Sequence, residues 1–159
     1  MQLGGWIRYH AREFDAARQR LSGIVKSAPD AVLARQFLAR VLLAQDDAAG
    51  ALRLLEGWNK LAPGSYSTLG RAYAKAGNVD AARAEIARVE AEGSKGFGVG
   101  FDLALLYLAL GEREKALHAL ERAPEDRSQM VGYINVEPAL DPIRDEPRLR
   151  AVARAVGLA

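Results

Sequence analysis

Apolar residues recur at helical spacing along most of the chain, with polar residues between them. In residues 81–89, the side chains of Ala82, Ile86 and Val89 fall on one stripe of a helix. Residues 102–110 are apolar enough for a helix that is buried on most sides. The pattern therefore predicts an all-α fold that combines amphipathic and buried helices.

Glycine, asparagine and aspartate residues mark the ends of the predicted helices. Gly77 and Gly111 each follow an apolar helical segment and can adopt the left-handed conformation that ends a helix. Asn78 and Asp47 can accept a hydrogen bond from a backbone N–H of the next helix and so cap it. These signals divide the chain into antiparallel helices joined by short turns.

A pattern of small and aliphatic residues recurs four times along the chain. Each copy has a glycine or alanine, an alanine twelve positions later and a leucine or isoleucine four positions after that. The copies are Gly5/Ala17/Leu21, Ala39/Ala51/Leu55, Gly70/Ala82/Ile86 and Ala104/Ala116/Leu120. They start 34, 31 and 34 residues apart, and a fixed period of this size is typical of stacked helix-turn-helix units. The small residues would let paired helices approach closely.

The repeat predicts one structural domain with two parts. Four helix-turn-helix units are expected at approximately 1–31, 32–62, 63–96 and 97–128, and capping helices at 129–159. Because the spacing shortens to 31 residues after the second copy, we expect a shorter second helix or exit loop in the second unit.

The third and fourth units carry the most complete set of landmark residues. These are Tyr66, Leu69, Gly70, Tyr73, Gly77, Ala82 and Ile86 in the third unit, and Leu103, Ala104, Tyr107, Gly111, Ala116, Leu120 and Ala123 in the fourth. Their order resembles the tetratricopeptide repeat, and the resemblance extends over roughly residues 1–128. It implies a right-handed superhelix of stacked antiparallel helix pairs, an α-solenoid. It also implies a non-catalytic scaffold for protein-protein interaction.

Residues 101–158 are similar to the end of tetratricopeptide regions in bacterial multidomain signalling proteins. The similarity rests on the run 101–123 and on later positions, namely Asp141, Pro142, Arg144, Glu146, Pro147, Arg148 and 156–158. In that family, the region accompanies the domains of winged-helix regulators, adenylate cyclases or protein kinases. The similarity implies a regulatory or sensory module of a signalling protein.

The tail also has the pattern of a terminal lid. Asp141 and Pro142 fit the N-cap and first position of one short helix, and Pro147 fits the start of another. The positions that then share an apolar face are Leu149, Val152, Ala153 and Val156. This face can cover the last repeat, because a solenoid needs a cap at its end.

Composition excludes several functional classes. The chain has no cysteine, which rules out disulfides and thiolate metal sites, and its net charge of +2 is too small to indicate a polyanionic partner. No apolar run reaches the roughly 18 residues of a membrane span, and residues 1–10 lack the features of a signal peptide. The compartment stays unknown, with the cytoplasm favoured.

The chain lacks the residue patterns of an active site or a metal centre. His10 and His118 lie in different units without a second ligand at metal-binding spacing, so helix-surface positions are expected. Residues 96–100 are rich in glycine but lack the preceding strand, the lysine and the hydroxyl of a phosphate loop. We therefore predict no enzyme activity, no cofactor and no metal.

The inner face of the first helices of the units is the predicted binding surface. Arg40 and Arg71 occupy equivalent positions in adjacent units and would lie side by side, which suits a carboxylate or an acidic peptide. Alternatively, each arginine pairs with a neighbouring acid or lies in solvent. The predicted groove residues are Trp6, Tyr9, Gln36, Arg40, Ser67, Arg71, Lys75, Phe101 and Leu105.

Several readings of this surface remain open. Trp6, Phe101 and Leu105 are either anchors for a partner or inter-repeat core. The leading hypothesis is a scaffold that binds a protein or peptide segment in the concave groove. The alternative is a structural module that self-associates through its first repeat, where nothing upstream would cover Trp6 or Ile7. Direct nucleic-acid binding is disfavoured by Asp102, Leu105 and the small net charge.

Overall fold

Helices make up the regular structure of the protein. The computed structural model describes residues 3–56, 65–96 and 98–158, and no β-strand occurs within these ranges. The α-helices are α1 (Leu3–His10), α2 (Phe14–Ser27), α3 (Val32–Ala44), α4 (Ala48–Leu55), α5 (Ser65–Lys75), α6 (Val79–Gly93), α7 (Gly100–Ala109), α8 (Arg113–Arg122) and α9 (Pro147–Ala155). Two 3-10 helices lie between α8 and α9, at Gln129–Tyr133 and Pro138–Ile143. The predicted boundary at 62/63 and residue Phe97 lie outside the described residues.

The helices pack as successive antiparallel pairs. Within the pairs, α1 contacts α2, α3 contacts α4, α5 contacts α6 and α7 contacts α8. The odd-numbered helices also contact one another in order, from α1 to α3, α5 and α7, and so form one continuous inner layer. This arrangement confirms the prediction of an all-α solenoid.

The turns between helices follow the sequence signals. Gly77 and Gly111 have φ angles of +80° and +75°, which place both in the left-handed region that ends a helix. The side chain of Asn78 accepts a hydrogen bond from Ala81 N–H at 3.1 Å, and that of Asp47 accepts one from Gly50 N–H at 2.8 Å. The predicted caps are therefore confirmed.

The second unit contains the predicted irregularity. Its second helix, α4, has 8 residues, whereas the second helices of the other units, α2, α6 and α8, have 14, 15 and 10. The shortening thus falls at least in part within the helix.

Small residues allow the inner and outer helices to touch. A Cβ atom added to Gly5 would lie 2.5 Å from Leu21 Cγ. A Cβ atom added to Gly70 would overlap Leu106 Cδ2 and lie 2.9 Å from Glu85 Cβ. Gly5 and Gly70 therefore set the spacing between the helices, since neither has room for a larger group, and the alanines of the repeat are 0% exposed at the same contacts.

Three groups of buried apolar residues run along the stack. The first involves helices α1 to α5, the second involves α7 to α9 with both 3-10 segments, and the small third group joins α6 to α7. Leu149, Val152 and Ala153 of α9 are buried in the second group, and α9 contacts α8. The predicted apolar lid on the last repeat is therefore present.

One detail of the predicted lid is wrong. The first short helix begins at Pro138 rather than at Asp141 and Pro142, and Pro142 lies inside it. Glu137 is the N-cap residue, and its side chain accepts a hydrogen bond from Ala139 N–H at 3.1 Å. Pro138 fits the first helical position because it has no N–H that needs a partner there.

A test of the interhelical spacing compares two glycine-to-alanine substitutions. Gly70→Ala forces Leu106 and Glu85 to move, and we expect it to lower the free energy of unfolding by about 1–3 kcal/mol. Gly23→Ala on α2 is the control, because no atom lies within 4 Å of the added Cβ and alanine is the better helix former. Urea denaturation measures both effects. Equal stabilisation by the two substitutions would contradict the role assigned to Gly70.

Candidate functional site

The inner face of the stack is covered in part by the chain's own residues 129–143. We call them the return segment, because they lead from the last repeat back to the first helix. The ring of Tyr133 packs against Trp6 and His10, with ring centroids 5.3 and 5.0 Å apart. Nη1 of Arg12 donates a hydrogen bond to the carbonyl of Val136 at 2.8 Å. The first inner helix and the turn after it are thus joined to residues far along the chain.

The centre of this contact is the carboxylate of Glu137, which is 0% exposed. Its Oε1 accepts hydrogen bonds from the hydroxyl of Tyr9 and from the backbone N–H of Ala139. Its Oε2 lies 4.0 Å from Nη1 of Arg40. The return segment therefore places a negative charge inside the groove that the inner helices form.

Two buried arginines surround this carboxylate. Arg40 on α3 is 3% exposed and Arg71 on α5 is 8% exposed, and the charges of both act on Glu137. Nε of Arg40 donates to the hydroxyl of Thr68 at 3.3 Å, and its guanidinium lies 5.4 Å from the centroid of the Trp6 ring. Among the described residues, Nη1 of each arginine has no hydrogen-bond acceptor. The pair therefore offers more donors than Glu137 uses.

A second carboxylate lies on the fourth inner helix. Asp102 on α7 accepts a hydrogen bond from the hydroxyl of Ser67 at 2.5 Å and is attracted by Arg40 and Arg71. Burial raises the pKa of Asp102, and the hydrogen bond and the two arginines only partly offset this effect. The inner face thus holds a compact polar cluster with charges from α3, α5, α7 and the return segment.

The electrostatic balance keeps Glu137 ionised. Burial by itself would raise the pKa of this carboxyl group. The positive charges of Arg40 and Arg71, with the hydrogen bonds from Tyr9 and Ala139, outweigh burial and lower the pKa below its ordinary value. The pKa of the Tyr9 hydroxyl is raised, first by burial and then by the charge of Glu137, so Tyr9 remains a donor. The contact is therefore a charged one at neutral pH.

The return segment is held in shape by Arg144. Its guanidinium donates to the carbonyl of Ile134 and, at 2.6 Å, to the carbonyl of Glu137. The same group lies 2.9 Å from Oδ1 of Asp141, which also pairs with Arg12 at 2.6 Å. The bend that presents Glu137 is thus fixed within the tail before it meets α1.

A half-open cavity of about 450 Å³ lies beside this contact. Arg71, Lys75, Leu43 and Leu105 contribute to its inner-helix wall, and residues 138–142 contribute to the opposite wall. The cavity size lies within the range that binds small ligands or a few side chains of a partner. The return segment therefore fills only part of the groove.

The structure buries eight of the nine predicted groove residues, and Lys75 alone of the nine is exposed. The side chain of Lys75 forms an ion pair with Asp46. Phe101 and Leu105 lie in the second apolar group and Trp6 in the first, which fits the reading of these three as interior residues. The role of the nine residues in partner binding stays a prediction.

Sequence reasoning missed the residues of the tail that enter the groove. Glu137, Tyr133 and Val136 were assigned only to a capping region, because nothing in a repeat pattern indicates the path of a segment that follows the last repeat. One local signal was available. Glu137 directly precedes Pro138, and the residue before a proline favours an extended backbone, which suits the N-cap position of a helix. Sequence reasoning also missed that downstream residues cover Trp6: Phe37 and Tyr133 pack against it, whereas Ile7 stays exposed.

The remaining candidates for chemistry lie outside this cluster or have other roles. His10 was expected on a helix surface, yet it is half-buried between Trp6 and Tyr133, and its Nδ1 lies 3.3 Å from the carbonyl of Val136. His118 is exposed, as expected. Within the described ranges, no three histidine, aspartate or glutamate residues group as metal ligands. In the same ranges, no helix has the length and apolar character needed to cross a membrane.

Most of the repeat region matches models of a known protein family. Two family models, both described as tetratricopeptide repeat, match the chain, one over residues 9–67 and the other over residues 63–88 and 99–122. Together they cover more than half of the chain. No curated protein and no solved structure shows a significant match.

The docking of the return segment should weaken as the pH falls. Docking lowers the pKa of Glu137, so the released segment binds more protons than the docked one. The carboxylate therefore stabilises docking at a pH above its ordinary pKa of about 4.3, and this stabilisation is lost as the pH falls below that value. The groups that face it from the inner helices are Tyr9, His10, Arg40, Arg71 and Asp102. Backbone amide NMR signals of residues 133–141 between pH 3.5 and 8 would report release.

A matched variant isolates the acidic step. Glu137→Gln removes the group that titrates and should abolish the pH dependence below about 5. His10, whose pKa is lowered by burial, would leave a separate contribution that begins to be lost as the pH falls below its ordinary pKa of about 6.5. The assignment fails if the wild type and Glu137→Gln lose the amide signals over the same acidic range.

Proposed function

Because the chain belongs to the tetratricopeptide repeat family, whose repeats generally mediate protein-protein interaction, we propose that it is a non-catalytic scaffold that binds a partner segment on its concave face. The family membership supports an interaction role. The inner layer of odd-numbered helices supplies the surface that such a segment would contact.

The observation that carries this proposal is the cavity beside the return segment. Its volume of about 450 Å³ can take one or two side chains of a partner, and it lies between the inner helices and residues 138–142. Leu43, Leu105 and Leu108 give it apolar surface. Arg71 and Lys75 bring positive charge to the inner-helix wall, and Asp141, which is paired with Arg12 and Arg144, lies on the opposite wall. This combination fits an apolar side chain next to an acidic one, which supports an acidic peptide as partner.

The tail gives the proposal a wider setting. We infer from the sequence pattern of residues 101–158 a likeness to the ends of tetratricopeptide regions in bacterial multidomain signalling proteins. On this similarity, we assign the scaffold to the regulatory or sensory part of a signalling protein. In that setting, capture of a partner segment would carry information to domains with their own activities.

The proposal is tested by filling the cavity. Peptides selected from a random display library against the full chain should lose binding to Ala44→Trp by at least about tenfold, since residue 44 lines the cavity and the indole would occupy it. Ala84→Trp is the control, because Ala84 is exposed on α6. Fluorescence anisotropy measures the affinities. Peptides that bind both variants equally well would show that the interaction surface lies elsewhere.

A second candidate function is self-association through the first repeat. The specific observation is Ile7 on α1, which is 65% exposed and so leaves an apolar side chain in solvent at this end of the stack. Its neighbour Trp6 is covered and cannot contribute. This alternative treats the chain as an oligomerisation module.

Light scattering across protein concentrations distinguishes the two roles. If the first repeat is an interface, Ile7→Gln should shift the population to monomers, because it removes apolar contact area. Val79→Gln is the control, since Val79 is also an exposed aliphatic residue but begins α6 in the third unit. A chain that is already monomeric at all concentrations would exclude the oligomerisation role.

A further inference from the structure

The return segment meets the inner face in the way that a bound peptide would. At Glu137 the backbone is extended, with φ −64° and ψ 114°. The Glu137 side chain is a buried anchor, the carbonyl of Val136 accepts a hydrogen bond from Arg12, and the ring of Tyr133 packs on Trp6. Peptide recognition by a preformed groove uses the same three elements: an acidic anchor, a hydrogen bond to a backbone carbonyl and an aromatic contact.

The contacts on either side of this anchor form a buried set and an exposed set. Ile134 and Leu140 are 0% exposed in the second apolar group and hold the segment to the last repeat. Tyr133 and Val136 are among the exposed large apolar residues, and the ion pair between Arg12 and Asp141 is also in solvent. Exposed ion pairs contribute little to stability. The carboxylate of Glu137 is therefore the buried contact that joins the segment to the inner helices α1 and α3.

The arginine pair is not saturated by this carboxylate. Oε2 of Glu137 lies 4.0 Å from Nη1 of Arg40 and has no hydrogen-bond donor among the described residues. Nη1 of Arg40 and Nη1 of Arg71 likewise lack acceptors there. The position of Glu137 is restricted because its segment is part of the same chain. A carboxylate on a separate segment could approach closer and accept hydrogen bonds from both guanidinium groups, which is a stronger interaction.

We infer that Arg40 and Arg71 form a recognition site for an acidic side chain of a partner segment, and that Glu137 fills this site in cis until the partner displaces it. The inference rests on the proposed binding of a segment at the concave face. It adds the chemistry of that segment and its competition with the chain's own tail. Binding to the scaffold then requires the Glu137 side chain to leave the arginine pair, while Ile134 and Leu140 stay in the second apolar group.

The return segment itself indicates the kind of partner that fits. Its central sequence is Val136, Glu137, Pro138 and Ala139, an acidic residue with an extended backbone between apolar residues. Arg12, Arg40 and Arg71 surround this position, so a partner with lysine or arginine next to its acidic residue would be repelled. A short acidic segment with apolar neighbours is the expected ligand.

The experiment uses the chain's own segment as a probe in trans. A fluorescent synthetic peptide with the sequence of residues 131–143 is titrated against the full chain and against its Glu137→Gln variant. The variant should bind the peptide at least about tenfold more tightly than the wild type, because the tethered competitor has lost its anchor. Glu125→Gln is the control, since Glu125 is exposed, and it should bind as the wild type does.

A second peptide and a second variant make the result specific. The peptide with glutamine in place of its glutamate should not bind the Glu137→Gln chain, because the arginine pair would lack a carboxylate. Tyr133→Ala weakens the cis segment while Glu137 and both arginines stay unchanged, and it should also increase affinity for the acidic peptide. This variant keeps the test decisive if Glu137→Gln does not fold.

Each outcome separates the inference from the proposed function. If both peptides bind equally, or if neither binds to the folded variants, the acidic recognition site is wrong. Concave-face binding would still stand if display-selected peptides respond to Ala44→Trp. If Glu137→Gln instead forms dimers in light scattering and thereby excludes the peptide, a second copy of the chain is the occupant and the inferred partner is overturned.

Discussion

The structure depends on the need of two buried guanidinium groups for a nearby carboxylate. Arg40 and Arg71 lie inside the groove, where loss of hydration costs on the order of several kcal/mol for each ion. Glu137 supplies the opposite charge, and Tyr9 orients it through a hydrogen bond. The path of the return segment follows from this constraint, because the segment must bend at residues 134–138 to place its carboxylate between α1, α3 and α5.

The repeat geometry creates this constraint. Arg40 and Arg71 are 31 residues apart, which is one period of the repeat, and each follows a small residue on an inner helix. Gly70, which directly precedes Arg71, packs closely against α6 and α7. The repeat period therefore determines both where the helices pack closely and where the arginines lie. A stack of this kind repeats a surface position from unit to unit, and charges at that position accumulate on one face.

The sequence predicted the fold well and the site only in part. Local sequence patterns were enough to predict the caps at Asp47 and Asn78, the small residues and the lid at α9. These features depend on contacts between residues that are close in sequence or related by the repeat. The period also placed Arg40 and Arg71 at equivalent positions, but it left open whether a partner, a neighbouring acid or water would face them. The source of the carboxylate that faces them did not follow from the period, because Glu137 meets Tyr9 across 128 residues and the tail has no repeat that fixes its path. Contacts of such long range depend on the whole packed structure.

An open groove differs from a closed core in how it can lose a buried ion pair. In a closed core, removal of Glu137 would leave both arginines without water or partner, which is strongly destabilising. In this groove, release of the return segment opens the inner face, so water can reach Arg40 and Arg71. The cost of unpairing is therefore limited by the free energy of the contacts between Glu137 and the inner helices, because Ile134 and Leu140 are buried separately against the last repeat. The buried charge thus stabilises the closed form, and the inferred displacement by a partner would exchange it for another carboxylate or for water.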